Sequence, residues 1–153
     1  SGMRDGALSD LVLGKIPGAS LTCFDLSPNM LDAARARLGG SAELVLGDAE
    51  KLPFRDGSFD TAWCNDSFHH YPNPGAAAAE FARVLQPGGV LLLGDCTAPA
   101  GLRGVANLFL PLSGEGDVRL YSGAELAALL EPHFHGVEFR RVGRSSLLVW
   151  GVR

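Results

Sequence analysis

Long apolar runs and clusters of positive charge are both missing from this sequence of 153 residues. No run approaches the roughly 20 apolar residues that a membrane-spanning helix needs, and no secretory leader with a basic flank and a small-residue cleavage site opens the chain. The 13 basic and 17 acidic residues give a net charge of −4, and the basic ones are scattered apart from Arg140 and Arg141. We therefore expect a cytoplasmic protein that binds neither nucleic acid nor membrane.

Cysteine is also scarce, and the three cysteines lie far apart in the sequence. Cys23, Cys64 and Cys96 each stand near the end of an apolar run, and their spacing fits neither a disulfide framework nor a zinc site. Because cysteine is among the residue types most often buried, we predict that these side chains belong to the core. No metal site is expected.

Internal repeats and low-complexity tracts are absent as well, and 46% of the residues are apolar against 20% charged. This length and balance favour one globular domain over residues 1–153. Short apolar runs alternate with segments of helical periodicity, which is typical of an α/β fold with a doubly wound, mostly parallel sheet whose strands are buried on both faces. The predicted elements are the strands Ser20 to Asp25, Glu43 to Gly47, Phe59 to Asn65 and Val90 to Cys96, and the helices Ser27 to Leu38 and about Gly75 to Leu85.

The helix boundaries have specific signals. Ser27 is the predicted N-cap of the first of these helices, and Pro28 occupies the first helical position, where its missing N–H does no harm. Gly39 and Gly40 end that helix, and the segment Gln86-Pro87-Gly88-Gly89 ends the next one.

The C-terminal third follows a different pattern. Ser122-Gly123-Ala124-Glu125 is a capping box that opens a helix with leucines on one face. Val137 to Val142 and Ser146 to Val152 are predicted strands, and the three residues between them are too few for a parallel crossover. The sheet is therefore predicted to end in an antiparallel hairpin.

Polar side chains stand at the ends of four predicted strands: Asp25, Asp48, Asn65 and Asp95. The carboxyl ends of parallel strands share one edge of a sheet, where open α/β sheets bind ligands, so we expect these side chains to lie along one rim. The alternative interpretation is that Asp and Asn simply begin turns. Four of them together favour a binding site.

Two of these carboxylates suit a nucleoside. Asp25 precedes the Ser27 helix, and from that position a carboxylate can accept hydrogen bonds from both hydroxyls of a ribose, as it also does in NAD-binding domains. Asp48 can accept from the exocyclic amine of adenine while a nearby backbone N–H meets a ring nitrogen. Together they predict a ligand that contains adenosine.

Several segments that follow one another along the chain carry a family pattern. They are Asp25, Gly47-Asp48-Ala49-Glu50-Lys51-Leu52-Pro53-Phe54, Ser58-Phe59-Asp60, Phe68-His69-His70-Tyr71-Pro72-Asn73-Pro74 and Val84-Leu85-Gln86-Pro87-Gly88-Gly89. In order and spacing they resemble the class I S-adenosylmethionine (SAM)-dependent methyltransferases of the ubiquinone/menaquinone-biosynthesis-like (type 11) family. The resemblance covers residues 5–97 well and the remainder in outline.

The resemblance implies a Rossmann-like fold with an antiparallel last strand and SAM as cofactor. It implies that Asp25 binds the ribose, that Asp48 and Ala49 bind the adenine, and that Asn65 lies near the methionine moiety. Met30 would pack against the adenine, although a role as core filler suits methionine equally well. The cofactor-binding residues expected in total are Gly6, Asp25, Leu26, Met30, Asp48, Ala49 and Asn65.

The family's first strand and glycine-rich loop have no counterpart, since only Ser1-Gly2-Met3-Arg4 precedes the matching part. Gly6 is similar to the last glycine of that loop, and Ala7 to Lys15 to the helix after it. The missing strand would lie between those ending at Asp25 and Asn65, and its loss would leave two unpaired edges. We expect a chain break near Arg4 or a substitute strand, explained by missing residues, a shortened start or another chain. Without the loop, this chain is expected to bind the cofactor weakly or not at all.

Methyl transfer from SAM is an in-line displacement that relies on positioning and on exclusion of water, and a general base is needed only when the acceptor must lose a proton. His69 and His70, which follow the strand ending at Asn65, are the candidate catalytic bases. Asp66 and Asp95 are weaker candidates, and a structural role for both histidines is the alternative. The predicted acceptor is a small molecule.

Other interpretations stay open. The apolar stretch Gly101 to Tyr121 would form either a lid over an apolar acceptor or a cover for the sheet. Three thiols near strand ends would also be similar to an arsenite methyltransferase. An NAD(P)-dependent oxidoreductase would share Asp25 but would leave Gly47 to Glu50 unexplained, and a non-enzymatic descendant that binds or forms a homodimer is the second alternative.

Overall fold

The computed structural model describes residues 7–110 and 119–153. Two compact units make up the chain, with unit 1 ending at Ala49 and unit 2 beginning at Glu50. The expected chain break or substitute strand near Arg4 and the predicted cofactor residue Gly6 lie outside the described residues, as does part of the predicted lid, residues 111–118. The expectation of a single domain stays a prediction.

Unit 1 alternates helices and short strands. Strands β1 and β2 pair in parallel, with Asp25 opposite Leu46. Helix α2 packs on both strands, and α1 contacts α2. The elements are α1 (Ala7–Lys15), β1 (Thr22–Asp25), α2 (Pro28–Leu38) and β2 (Glu43–Leu46).

The ends of α2 follow the signals in the sequence. Ser27 is the N-cap with an extended backbone, and Pro28 begins the helix. Gly39 ends it with a positive φ of 57°, a conformation that costs glycine little, and its N–H donates to the carbonyl of Arg35 at 3.0 Å. Burial on both faces was wrong for β2, because Leu46 at the strand end is 56% exposed.

Unit 2 contains a four-stranded sheet in the order β3-β4-β6-β5. Strands β3 and β4 are parallel, whereas β6 pairs antiparallel with both β4 and β5. The elements are β3 (Phe59–Asn65), a 3₁₀ helix (Phe68–His70), α3 (Pro74–Val84), β4 (Leu85–Cys96), α4 (Ala100–Phe109), α5 (Gly123–Leu130), β5 (His135–Val142) and β6 (Ser146–Val152).

The order of helices and strands confirms the predicted α/β class and the C-terminal antiparallel hairpin. The hairpin's first strand begins at His135, two residues earlier than predicted, because His135 pairs with Val152 before an irregularity in the ladder. Gly136 lies in this irregularity with a φ of 58°. None of the helices in the described ranges is long and apolar enough to cross a membrane.

Strand β4 begins earlier than its sequence suggests. Leu85 pairs with Phe59, and the next pair along the ladder joins Thr61 to Val90, so the residues in between bulge out of the ladder. Arg153 exchanges backbone hydrogen bonds with this bulge, at 2.9 Å to Gly88 and 2.9 Å to Gly89. The segment Gln86-Pro87-Gly88-Gly89 follows the end of α3 at Val84, as predicted. The predicted start of the strand at Val90 is wrong, because Leu85 already pairs with Phe59 and Arg153, a partner distant in sequence, bonds to the bulge.

The core of unit 2 lies between its sheet and the helices α3 and α5, which pack against β4 and against the β5–β6 hairpin, respectively. Burial alternates along β4, where Leu91 and Leu93 are buried and their neighbours are half-buried. The expected burial on both faces is thus only partial. Large core side chains that are at most 2% exposed are Phe68, Val84, Leu85, Leu91, Leu93, Leu126, Leu130, Phe134 and Val149.

Candidate functional site

Asp25 and Asp48 lie at the same edge of the unit 1 sheet. Asp25 is the last residue of β1 and pairs with Leu46, the last residue of β2. The N–H of Gly47 donates to the carbonyl of Asp25 at 3.1 Å, and the exposed Asp48 is the next residue. The parallel pairing thus brings together the first two polar strand ends that the sequence singles out.

The carboxylate of Asp25 has a fixed orientation. Its Oδ1 accepts a hydrogen bond from the N–H of Ser27 at 2.8 Å, at the N-terminus of α2. A carboxylate held through one oxygen can still accept further hydrogen bonds, because each oxygen has two lone pairs. The neighbouring Leu26 is 71% exposed, and Met30 in α2 is half-buried.

The second pair of polar strand ends lies in unit 2. Asn65 ends β3 opposite Gly94 of β4, and Asp95 follows Gly94, so Asn65 and Asp95 share the carboxyl edge of these two strands. Asp66 turns the chain away from β3 with a φ of 51°, a left-handed conformation that aspartate tolerates better than most residues. Its N–H donates to the carbonyl of Gly94 at 2.8 Å.

A buried His–Asp pair lies beside this edge. The 3₁₀ helix Phe68–His70 places His69 so that its backbone N–H donates to Oδ2 of Asp95 at 3.1 Å, and its Nδ1 lies 2.5 Å from Oδ1 of Asp95. The thiol of Cys96 lies 3.5 Å from the same ring nitrogen. His69 is 7% exposed and Asp95 is 3% exposed.

Burial disfavours the protonated form of His69, but the hydrogen bonds to Asp95 and Cys96 and the charge of Asp95 outweigh it and raise the pKa of His69 to about 10. An imidazole with this pKa is protonated at neutral pH and cannot accept a proton there. The geometry therefore favours the structural role for His69 over that of a general base. The half-buried His70, whose ring centroid lies 4.0 Å from that of His69, stays a candidate base.

His69, Asp95 and Cys96 place three atoms of types that can bind a metal within 4.8 Å of one another. A tetrahedral metal at about 2.1 Å from a nitrogen and an oxygen ligand would hold those two atoms roughly 3.4 Å apart. The ring nitrogen and carboxylate oxygen lie only 2.5 Å apart. This separation fits a hydrogen bond between Nδ1 of His69 and Oδ1 of Asp95, and it is too short for these two atoms to bind one metal ion together.

All three cysteines are free thiols. Burial raises the pKa of Cys23, which contacts Ser9 at 3.6 Å, and raises the pKa of Cys64 to about 11. Both are at most 7% exposed. Buried thiols of this kind stay protonated, which suits the predicted core role and disfavours the thiolate cluster that arsenic would require.

The sequence did not predict the hydrogen bonds that connect residues 119–121 to the region of the His69–Asp95 pair. The N–H of Arg119 donates to the carbonyl of His69 at 3.2 Å, and Oγ1 of Thr97 donates to the carbonyl of Tyr121 at 2.7 Å. Asn107 in α4 bonds both backbone groups of Leu120, at 3.0 and 2.8 Å. These contacts join parts of the chain with no local sequence signal. Helix α4 also exposes four apolar side chains, namely Leu102, Val105, Leu108 and Phe109.

Known proteins share both the sequence pattern and the fold. Residues 2–93 match the methyltransferase-domain family. The uncharacterized protein YafE of Escherichia coli (strain K12) is 35% identical over 120 residues, covering 73% of this chain and 57% of YafE. The demethylmenaquinone methyltransferase of Deinococcus radiodurans is 38% identical over 155 residues, covering 90% of this chain and 64% of that protein. The chain thus spans less than two thirds of each of these relatives.

Solved structures agree on the fold. YcgJ from Bacillus subtilis has a TM-score of 0.81 at 19% identity, covering 97% of this chain and 88% of that chain. An O-methyltransferase family protein from Burkholderia thailandensis has a TM-score of 0.79 at 23% identity, covering 96% and 48%. These likenesses confirm the Rossmann-like α/β fold. The match over residues 2–93 shows that the chain belongs to the methyltransferase-domain family of class I SAM-dependent methyltransferases.

Proposed function

We propose that the protein transfers the methyl group of SAM to a small-molecule acceptor by in-line displacement. The observation that carries the proposal is the placement of Asp25 and Asp48 at one carboxyl edge of parallel strands in a chain of this family. SAM supplies a methyl group that is already activated by a positively charged sulfur. The contribution of the protein is to bind, orient and keep water away.

The residues at this edge fit an adenosine. The carboxylate of Asp25, oriented by the N–H of Ser27, would accept from both ribose hydroxyls. Asp48 would accept from the adenine amine, with the backbone of Ala49 beside it. The apolar side chains of Leu26 and Met30 would pack against the nucleoside.

Asn65 is proposed to contact the methionine part of SAM, as the resemblance implies. Gly6 is proposed to lie near the same part of the cofactor. Solved-structure support for the cofactor comes from PigF with SAH (S-adenosylhomocysteine), which has a TM-score of 0.77 and 18% identity to this chain and covers 99% of it. The likeness itself is one of fold.

The acceptor is proposed to be apolar. The exposed face of α4, which includes Leu102 and Leu108, follows directly after the edge that carries Asp95. Relatives include a 27-O-demethylrifamycin SV methyltransferase from Amycolatopsis mediterranei, 42% identical over 86 residues. Where the acceptor must lose a proton, His70 is the proposed base, because the pKa of His69 keeps that ring protonated at neutral pH.

Separate calorimetric titrations of the full-length gene product with SAH and with NAD⁺ test the proposal. We expect SAH to bind and NAD⁺ to give no heat beyond dilution. Binding of NAD⁺ alone would support the oxidoreductase alternative. Binding of neither ligand would support the non-enzymatic alternative.

A further inference from the structure

The side-chain amide of Asn65 lies directly across the backbone of Gly94. The two residues are opposite each other in the β3–β4 ladder. A Cβ added to Gly94 would collide with Oδ1 of Asn65 and would lie 3.5 Å from its Cγ. The amide therefore occupies the space that any other residue at position 94 would fill.

The same glycine also supports the turn that follows Asn65. The carbonyl of Gly94 accepts the N–H of Asp66 at 2.8 Å, and Nδ2 of Asn65 donates to Oδ2 of Asp66 at 3.3 Å. The hydroxyl of Ser67 donates to the carbonyl of Asn65 at 3.2 Å. The amide of Asn65 thus donates a hydrogen bond to Asp66 and lies against the backbone of Gly94 in β4, where no side chain stands in the way.

We propose that Gly94 is a positioning residue for the cofactor site, acting through Asn65. This inference rests on the proposed function, in which Asn65 contacts the methionine part of SAM. An amide recognises charged and polar groups only when its donor and acceptor point in a fixed direction. The methyl group of an alanine at position 94 would push the amide of Asn65 away from β4. The donor and acceptor of the amide would then no longer point toward the cofactor.

We expect Gly94→Ala to weaken cofactor binding without destabilising the fold. The atom in the way is the end of a rotatable side chain, and Gly94 does not adopt a positive φ. Alanine also suits a strand better than glycine does. Gly89 gives the contrasting case, because a Cβ there would lie 2.8 Å from the carbonyl oxygen of Gln86, which belongs to the backbone.

The test compares Gly94→Ala, Asn65→Ala and the double variant in the full-length gene product, with SAH affinity measured by calorimetry. We expect Gly94→Ala to weaken SAH binding about tenfold or more, which is the effect of losing one hydrogen bond to a charged group, with an unchanged or higher Tm. In the double variant, Gly94→Ala should cause no further loss beyond that of Asn65→Ala. The matched control is Gly104→Ala, because a Cβ on Gly104 meets nothing within 4 Å.

A second readout follows the amide itself. The side-chain signals of Asn65 in a ¹H–¹⁵N spectrum, assigned by their loss in Asn65→Ala, should move in Gly94→Ala and stay in place in Gly104→Ala. Wild-type affinity in Gly94→Ala, additive losses in the double variant, or unmoved amide signals would each overturn the inference.

Failure of the wild-type protein to bind SAH would count against the proposed function and the cofactor role of Gly94. The amide signals would then decide separately whether Gly94 positions Asn65. Should Gly94→Ala fail to fold, the double variant, in which the obstructing amide is gone, should fold. Equal failure of both would overturn the inference.

Discussion

The imidazole Nδ1 of His69 lies 2.5 Å from Oδ1 of Asp95, and both side chains are buried. The backbone N–H of Cys96 donates to the same carboxylate oxygen at 2.8 Å. A buried carboxylate needs such partners, because an uncompensated charge in the interior is costly. The pair therefore connects the 3₁₀ helix after β3 to the end of β4. The stability of the protein consequently depends on the charge of His69.

This pair predicts a loss of stability in mildly alkaline solution. The pKa of His69 is raised to about 10 in the folded protein, against roughly 6.5 when unfolded. Its stabilising contribution is therefore complete below about pH 6.5 and is lost as the pH rises toward about 10, at up to about 1.4 kcal/mol per pH unit. Urea unfolding at intervals of pH between these limits should show this slope in the wild type.

The control for this slope is His69→Gln, which keeps a polar side chain but does not titrate. The thiol of Cys64, whose pKa is raised to about 11, contributes equally to both proteins. The variant should be less stable near pH 6.5, and its stability should fall less steeply as the pH rises. Parallel profiles for the two proteins would show that His69 is not charged in the folded state.

Asp25 should matter more for the cofactor than for the fold. Asp25→Ala removes the proposed ribose contacts and the acceptor for the N–H of Ser27, so we expect SAH affinity to fall by about 100-fold and stability by about 1 kcal/mol. Asp25→Asn keeps an acceptor for that N–H and should lose affinity by about tenfold with little change in stability. Calorimetry with SAH and urea unfolding, both on the full-length gene product, measure the two effects.

The control on the same structural unit is Asp32→Ala. The side chain of Asp32 is 68% exposed, and its ion pair with Arg35 lies on the surface of α2. Such pairs contribute little, so neither SAH affinity nor stability should change appreciably. If Asp25→Ala behaved like Asp32→Ala in the titration, Asp25 would not belong to the cofactor site.

Features with a local cause were predictable from the sequence. The bounds of β3 and β6 agree with the prediction, and so does the start of α5, since capping residues and short turns act within a few positions. The bounds of α1 agree with what the family resemblance implies. The family resemblance also covers the segments that carry Asp25 and Asp48. The parallel pairing of β1 and β2 then places these two residues at one edge.

Features with a distant cause were not predictable. His69 and Asp95 are 26 positions apart, and their contact depends on the register between β3 and β4. The early start of β4 likewise depends on Arg153, at the other end of the unit 2 sequence. No periodicity or spacing encodes such contacts. For this reason, the sequence left His69 open between a base and a structural role, whereas its partners in the structure raise its pKa and favour the structural role.

The capping box of α5 should contribute measurably to stability. The hydroxyl of Ser122 accepts the N–H of Glu125 at 3.2 Å, and the carboxylate of Glu125 accepts the N–H of Ser122 at 2.8 Å. We expect Ser122→Ala to lower the free energy of unfolding by about 1 kcal/mol, measured by urea denaturation. Ser27→Ala is the matched control, because the N-cap side chain of Ser27 makes no capping hydrogen bond, and equal losses in both would contradict the assignment.

Arg83 makes hydrogen bonds that a lysine at the same position could not reproduce. Its guanidinium donates to the carbonyls of Phe54 at 2.8 Å and Leu52 at 2.9 Å while pairing with Glu80 at 2.7 Å, so one side chain of α3 holds the segment before β3. The hydrogen bond to Glu80 raises the pKa of Arg83, which stays charged at every working pH. A lysine ammonium keeps the charge but lacks the planar fork that reaches both carbonyls.

We therefore expect Arg83→Lys to lower the free energy of unfolding by about 2 kcal/mol, roughly 1 kcal/mol for each carbonyl that loses its donor, as measured by urea denaturation. Arg55→Lys, at an exposed position of the same segment, should change it by less than about 0.5 kcal/mol. The carboxylate of Glu80 accepts the N–H of Leu52 at 2.8 Å, and this hydrogen bond does not involve Arg83, so we expect the segment to stay attached to α3 in the variant. A loss in Arg83→Lys no larger than that in Arg55→Lys would show that charge alone, and not the bonds to the two carbonyls, is what position 83 contributes.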